Sequence, residues 1–191
     1  GTSYFSEMNG DIEIDVMNSL GFDVVCLGNH EFDNGTKERA RRLKNLKAKV
    51  VCANYDFEDS PLEDVVHPYV IIKKAGMKIG VIGLLTDIRR VVDKKIAAEF
   101  SYIEPADVVN RYAEYLKNEK GCDLVMCLSH LGYEEDKEVA ALIRNVDVIV
   151  GGHTHTLLHK KQEVKDLDGK PVVIVQNWKW GLNVGVLDIK Y

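Results

Sequence analysis

Four of the six histidines carry most of the chemistry this sequence could perform. His30 stands in GNHEFDNG (28–35), His130 in SHLG (129–132), and His153 with His155 in GGHTHT (151–156). Each group follows an apolar run, so separate segments would deliver imidazoles to one edge of a fold. Neutral imidazole is the commonest protein metal ligand, and paired imidazoles suit Zn, Mn, Fe, Co or Ni. In an extended segment residues two apart face the same way, so His153 and His155 are expected to address one locus, with Gly151 and Gly152 permitting close backbone approach. Asn29 and His30 are adjacent and should diverge, one toward a metal and the other toward a substrate. Asp33, three residues after His30, could hold the ring at Nδ1 and leave the other nitrogen for proton transfer. Glu31 either supports this loop or joins its chemistry. His67 and His159 lie in polar, turn-like stretches and are given no function.

Positioning these side chains requires a scaffold, and the apolar pattern supplies one. Strand candidates are residues 22–28, 48–54, 69–74, 77–85, 122–130, 146–152, 171–177 and 182–190, with a hairpin turn near Ala75 and Gly76. Between them lie helix candidates. Residues 11–20 place Ile12, Val16, Met17 and Leu20 on one stripe before a capping Gly21. Residues 36–48 are basic on the outside with Leu43 and Leu46 inward. Residues 105–120 open with proline, and 134–145 have acids first. Alternating strands and helices predict a largely parallel sheet with an antiparallel margin or a second sheet. Ligands in such sheets gather at the carboxyl ends of strands, where the four histidines fall.

The 191 residues suit one domain with a buried core. A net charge of −5 argues against a nucleic-acid partner, which wants a basic face. No run approaches the roughly 20 apolar residues of a membrane span, and residues 1–30 show no signal-peptide pattern, which carries little weight if the start is cut. Cys26, Cys52, Cys122 and Cys127 lack C-x-x-C spacing and read as buried free thiols. Trp178 and Trp180 alternate in and beside a strand candidate, which reads as packing.

GNHEFDNG, SHLG and GGHTHT, with a weaker match in KIGVIGLLT (78–86), resemble the calcineurin-like metallophosphoesterases, and within them the 5'-nucleotidases and UDP-sugar hydrolases. The resemblance implies a four-layer α/β/β/α sandwich with two divalent metal ions (Zn, Mn, Fe, Co or Mg) bridged by a carboxylate and a hydroxide. It assigns Asn29, His130 and His153 to the second metal and His155 to the first. His30 then contacts the phosphoryl group, with Asp33 as its orienting partner and Asn29 beside the substrate. The implied reaction is hydrolysis of a small phosphorylated substrate, a nucleotide in the 5'-nucleotidase branch. UDP-sugar hydrolysis, or another phosphodiester cleavage on the same fold, is the alternative. Export to the periplasm or cell surface is implied by the resemblance alone.

One departure is large. The family carries D-x-H on its first strand and a G-D whose aspartate bridges the metals, and the 191 residues contain no D-x-H. Asp11 and Asp15 are the nearest acids, but their helical pattern makes them poor substitutes. Residues 1–191 are therefore expected to be one metallophosphoesterase domain, N-terminally incomplete, from a longer polypeptide that also carries a C-terminal substrate-specificity domain. A partner chain filling the gap is the other account. A catalytically incomplete module that binds metal and phosphate remains a competing function. A purely structural metal site ranks last, because no cysteine pair accompanies the histidines.

Overall fold

The computed structural model describes residues 10–33 and 35–190. Eleven strands form among them: β1 (Val24–Cys26), β2 (Lys49–Val51), β3 (Tyr55–Asp56), β4 (Val66–His67), β5 (Tyr69–Lys74), β6 (Met77–Leu85), β7 (Ser101–Tyr102), β8 (Leu124–His130), β9 (Val148–Gly151), β10 (Gln162–Lys165) and β11 (Pro171–Gln176). The helices are α1 (Asp11–Leu20), α2 (Thr36–Leu43), α3 (Lys94–Ala97), α4 (Pro105–Glu114) and α5 (Tyr133–Ala141). A π turn, Tyr115–Glu119, prolongs α4 to the end expected for it.

Strands β10, β11, β9, β8, β6 and β5 form one sheet in that order. Its centre, β11, β9, β8 and β6, is parallel, and β10 and β5 flank it antiparallel. The β5–β6 hairpin turns at Ala75 and Gly76, both at positive φ (50° and 81°), as the right-handed strand twist favours. Strands β1, β2 and β4 form a second, parallel sheet, with β1 at its edge. The short strands β3 and β7 pair separately.

The two sheets pack face to face, with β1 and β2 against β6. Contact is closest at Gly83, where a Cβ would lie 2.3 Å from the carbonyl carbon and oxygen of Val51. Outside the larger sheet, Val108, Val109, Val139 and Ala140 of α4 and α5 bury against Ile82, Val125 and Ile149. Outside the smaller, Ala40 and Leu43 of α2 bury with Leu27, Phe32 and Val50. The architecture is thus α/β/β/α.

Several local expectations are corrected. Residues 182–190 form no strand: Val184 and Val186 are 89% and 84% exposed. Both edges of β11 are already taken, by β10 and β9, so the following segment finds no ladder there. Helix α1 turns Ile12, Val16 and Leu20 outward, while Ile14 and Met17 line a cavity of about 230 Å³ against β1. Asn18 fixes that rotation, donating to the Asn45 carbonyl (2.9 Å) and accepting from the Lys47 N–H (2.7 Å).

Helix α2 ends at Leu43, five residues early, and its basic face is not all outside. Arg39 is only 2% exposed, its guanidinium 3.6 Å above the Phe32 ring and without a hydrogen-bond partner among the described residues. Helix α5 likewise stops at Ala141 rather than at 145. Trp178 and Trp180 are exposed rather than packed, because each sits at positive φ (61° and 60°) beyond the end of β11 and strand alternation no longer applies. All four cysteines are free thiols, as expected, and Cys52, Cys122 and Cys127 are buried while Cys26 is only partly so. Among the described residues no helix is long and apolar enough to cross a membrane.

Candidate metal and phosphate site

After β1 the chain passes Leu27 and Gly28 into a single 3₁₀ turn, Asn29–Phe32. Residues of such a turn point about 120° apart, which separates Asn29 from His30. Asn29 is buried and turned toward the larger sheet, where its Oδ1 lies 3.0 Å from His130 Nε2. The His30 side chain is 55% exposed, and its Nδ1 is 2.8 Å from Asp33 Oδ2. Glu31 closes the loop on itself, its Oε2 accepting the Gly28 N–H at 2.6 Å. That bond ties the start of the turn to its third residue, and burial raises the Glu31 carboxyl above its usual value.

His130 ends β8, and its ring lies between two glycines. A Cβ on Gly28 would come 3.0 Å from His130 Cε1, and one on Gly152 would come 3.2 Å from His130 Nδ1. The His130 and His153 ring centroids are 5.1 Å apart. Burial first, then the neighbouring His153, His30 and His155, push the His130 imidazolium down to about 4. His153 is lowered by burial and by His155 and His30. Both rings are thus neutral at pH 7, the state in which a ring nitrogen can ligate a cation.

The loop carrying His153 and His155 is not extended, which corrects the sequence expectation. His153 and His155 have φ of 69° and 55°, and the Thr154 N–H bonds the Gly152 carbonyl at 2.9 Å. An i to i+2 hydrogen bond around a positive-φ residue is a γ-turn of the rare, strained kind. His153 therefore reaches the site through a turn rather than through strand alternation, while His155, the residue after that turn, is exposed.

Behind the site, Asp136 of α5 is fully buried. Its Oδ1 accepts the Ser129 hydroxyl at 2.5 Å, and its Oδ2 would collide with any Cβ on Gly151 (2.4 Å). Burial pushes the Asp136 carboxyl up to about 7. The buried Gln176 of β11 donates to the Gly152 carbonyl at 2.7 Å. Sequence reasoning missed Asp136, Ser129 and Gln176. Gln176 had a signal, being a polar residue directly after the apolar run VVIV.

Among the described residues no three His, Cys, Asp or Glu side chains form a ready metal-holding group. The donors that do converge are an amide oxygen, Asn29 Oδ1, and two neutral imidazoles, His130 and His153. That set fits a borderline divalent cation. Asp11 and Asp15 take no part: Asp11 pairs with Arg41 (3.0 Å) and Asp15 faces outward on α1.

Two packed sheets with imidazoles gathered at the strand ends define a metallophosphoesterase-type domain, and the family model for calcineurin-like phosphoesterases matches residues 7–157. The chain belongs to that family. It is 32% identical to the probable 5'-nucleotidase of Treponema pallidum over its whole length, but spans 35% of that protein. The 5'-nucleotidase precursor of Thermus thermophilus superposes with a TM-score of 0.89 at 35% identity, covering 95% of this chain and 38% of its own. The NAD nucleotidase of Haemophilus influenzae gives 0.81 at 31% identity, with 93% and 38% covered. The chain thus spans little more than a third of each relative.

Proposed function

We propose that the chain hydrolyses phosphate monoesters, with 5'-nucleotides as the substrate class, using His30 as the phosphate-contacting acid. The observation that carries this reading is the placement of His30, exposed and held at Nδ1 by Asp33, beside the buried Asn29 and the half-buried His130. Relatives named as 5'-nucleotidases support the substrate class. Held by Asn29, His130 and His153, with His155 toward a second position, divalent cations would supply charge neutralisation at the phosphoryl group and activation of water.

The chain's own residues do the rest. Asp33 fixes the His30 ring and directs Nε2 outward, where it can donate a proton to a phosphoryl oxygen or to the departing alkoxide. Gly28 and Gly152 hold the His130 ring between them, and Asn29 sets its Nε2 edge toward the site. Export to the periplasm or cell surface belongs to the same proposal and is supported by family resemblance.

A second reading, binding of metal and phosphate without turnover, is favoured by the donor set, in which no bridging carboxylate joins Asn29, His130 and His153 among the described residues. Hydrolysis of an aryl phosphate in Mn²⁺ separates the two. We expect turnover that falls about 10²–10⁴-fold in His30→Ala while the metal content by elemental analysis stays as it was. Phosphate binding with no turnover supports the second reading. Loss of metal in His30→Ala would show that the roles of His30 and Asn29 are misassigned.

A further inference from the structure

We propose that Gln176 is a positioning residue that holds the strained turn at His153 and so aims its imidazole at His130. The inference rests on the metal-site reading given above. Gln176 ends β11 in register with Gly151 of β9, and its side chain crosses beneath the following loop. There its amide Nε2 donates to the Gly152 carbonyl at 2.7 Å. That oxygen is also the acceptor of the γ-turn, taking the Thr154 N–H at 2.9 Å.

Two donors therefore converge on the one carbonyl that defines the turn. A γ-turn with a non-glycine residue at positive φ persists only where its surroundings over-determine it. Here the surroundings are specific. The Thr154 hydroxyl accepts the Tyr133 N–H at 3.1 Å and lies 3.0 Å from the Thr156 hydroxyl, so the loop is tied to the start of α5 as well. Past the loop, the Leu158 N–H returns to the Gln176 carbonyl and the Trp178 N–H to the Thr156 carbonyl, both at 3.0 Å. Gln176 is 3% exposed, too buried for water to replace its donated bond.

Without that bond the Gly152 carbonyl keeps only the turn's own donor, and the left-handed state of His153 loses the outside donor on the carbonyl that closes its turn. The ring would then swing away from the 5.1 Å separation it holds from His130. Outer partners of metal-ligating groups typically set metal affinity by 10–100-fold. No contact of Gln176 with substrate is needed.

The test is a double-mutant cycle on metal affinity, read by calorimetric titration of the metal-free protein with Mn²⁺ or Zn²⁺. Gln176→Leu should weaken binding 10–100-fold, and the same change made in His153→Ala should add almost nothing, because the ligand it serves is gone. Where Gln176→Leu does not fold, Gln176→Met carries the same expectation, since the thioether keeps much of the length and cannot donate to the carbonyl. Independently of metal, the Thr154 N–H should exchange faster with solvent in either variant.

Unchanged affinity in the single variant overturns the proposal. So does an equal loss in the His153→Ala background, which would mark a general loosening of the fold. Should His153→Ala itself leave metal affinity untouched, the metal-site reading fails and takes this one with it, an outcome distinct from the other two.

Discussion

His130 shows how much a single ring depends on what surrounds it. Gly28 and Gly152 flank it, Asn29 faces its Nε2, and burial with three neighbouring imidazoles lowers its proton affinity to about 4. The ordinary value is 6.5, so between pH 6.5 and 4 the unfolded chain binds a proton that the folded, metal-free chain refuses. The stability contributed by this residue is present above pH 6.5 and lost as the pH falls toward 4. We expect the His130 Cε1 proton in NMR spectra of metal-free protein to keep its neutral shift down to about pH 4. We also expect His130→Asn to flatten the acid limb of stability against pH. A midpoint near 6.5 would show that the ring is not buried as described. At this scale the sequence was legible where partners lie within one turn: His30 and Asp33, three residues apart, meet at 2.8 Å. It was not legible for Ser129 with Asp136 or Gly152 with Gln176, because a helix or a neighbouring strand brings those partners together.

At the scale of elements, β5, β6 and β11 keep their expected bounds to within a residue, and β6 is buried on both faces from Gly80 to Leu85. β6 and β8 are read almost residue for residue, since a run such as VIGLL has only one way to be buried. Where one side is exposed, the apolar pattern alone does not fix which face turns inward. The stripe Ile12, Val16 and Leu20 on α1 predicts an inward face, but the hydrogen bonds of Asn18 to the loop before β2 turn it outward. The segment 182–190 alternates like a strand but has no free edge of β11 beside it. The contact between the sheets makes a sharper claim. Gly83 stands where the backbone of Val51 and Cys52 leaves no room for a methyl group, and its carbonyl accepts the Ala53 N–H at 2.8 Å. Gly83→Ala should therefore cost about 3 kcal/mol, read as a lower urea midpoint with an unchanged slope. A loss under about 0.5 kcal/mol, the range of ordinary surface changes, would mean that the sheets separate freely at this point.

Across the whole molecule, the site belongs to neither sheet alone. Asn29 and His30 come from the end of β1 in the smaller sheet, and His130 and His153 from β8 and the loop after β9 in the larger. A cation held between them, as proposed, would bind the folded chain and not the unfolded one and would so tie the two sheets together. At a hundred times its Kd such a ligand adds about 2.7 kcal/mol, which for a chain of this size raises Tm by roughly 5–10 °C. Thermal unfolding in Mn²⁺ and then in EDTA should show that difference. Equal Tm values in the two would mean that Asn29 and His130 do not share a cation. The sequence by itself determined the class of fold and the residue types of the site, because burial imposes a period on strands and helices and because four histidines fall where parallel strands end. Tertiary structure alone decided the rotation of α1, the burial of Arg39, the loss of a strand at 182–190 and the left-handed turn at His153. Each of these is settled by a partner far away in the chain, and a pattern that counts only near neighbours contains no term for it.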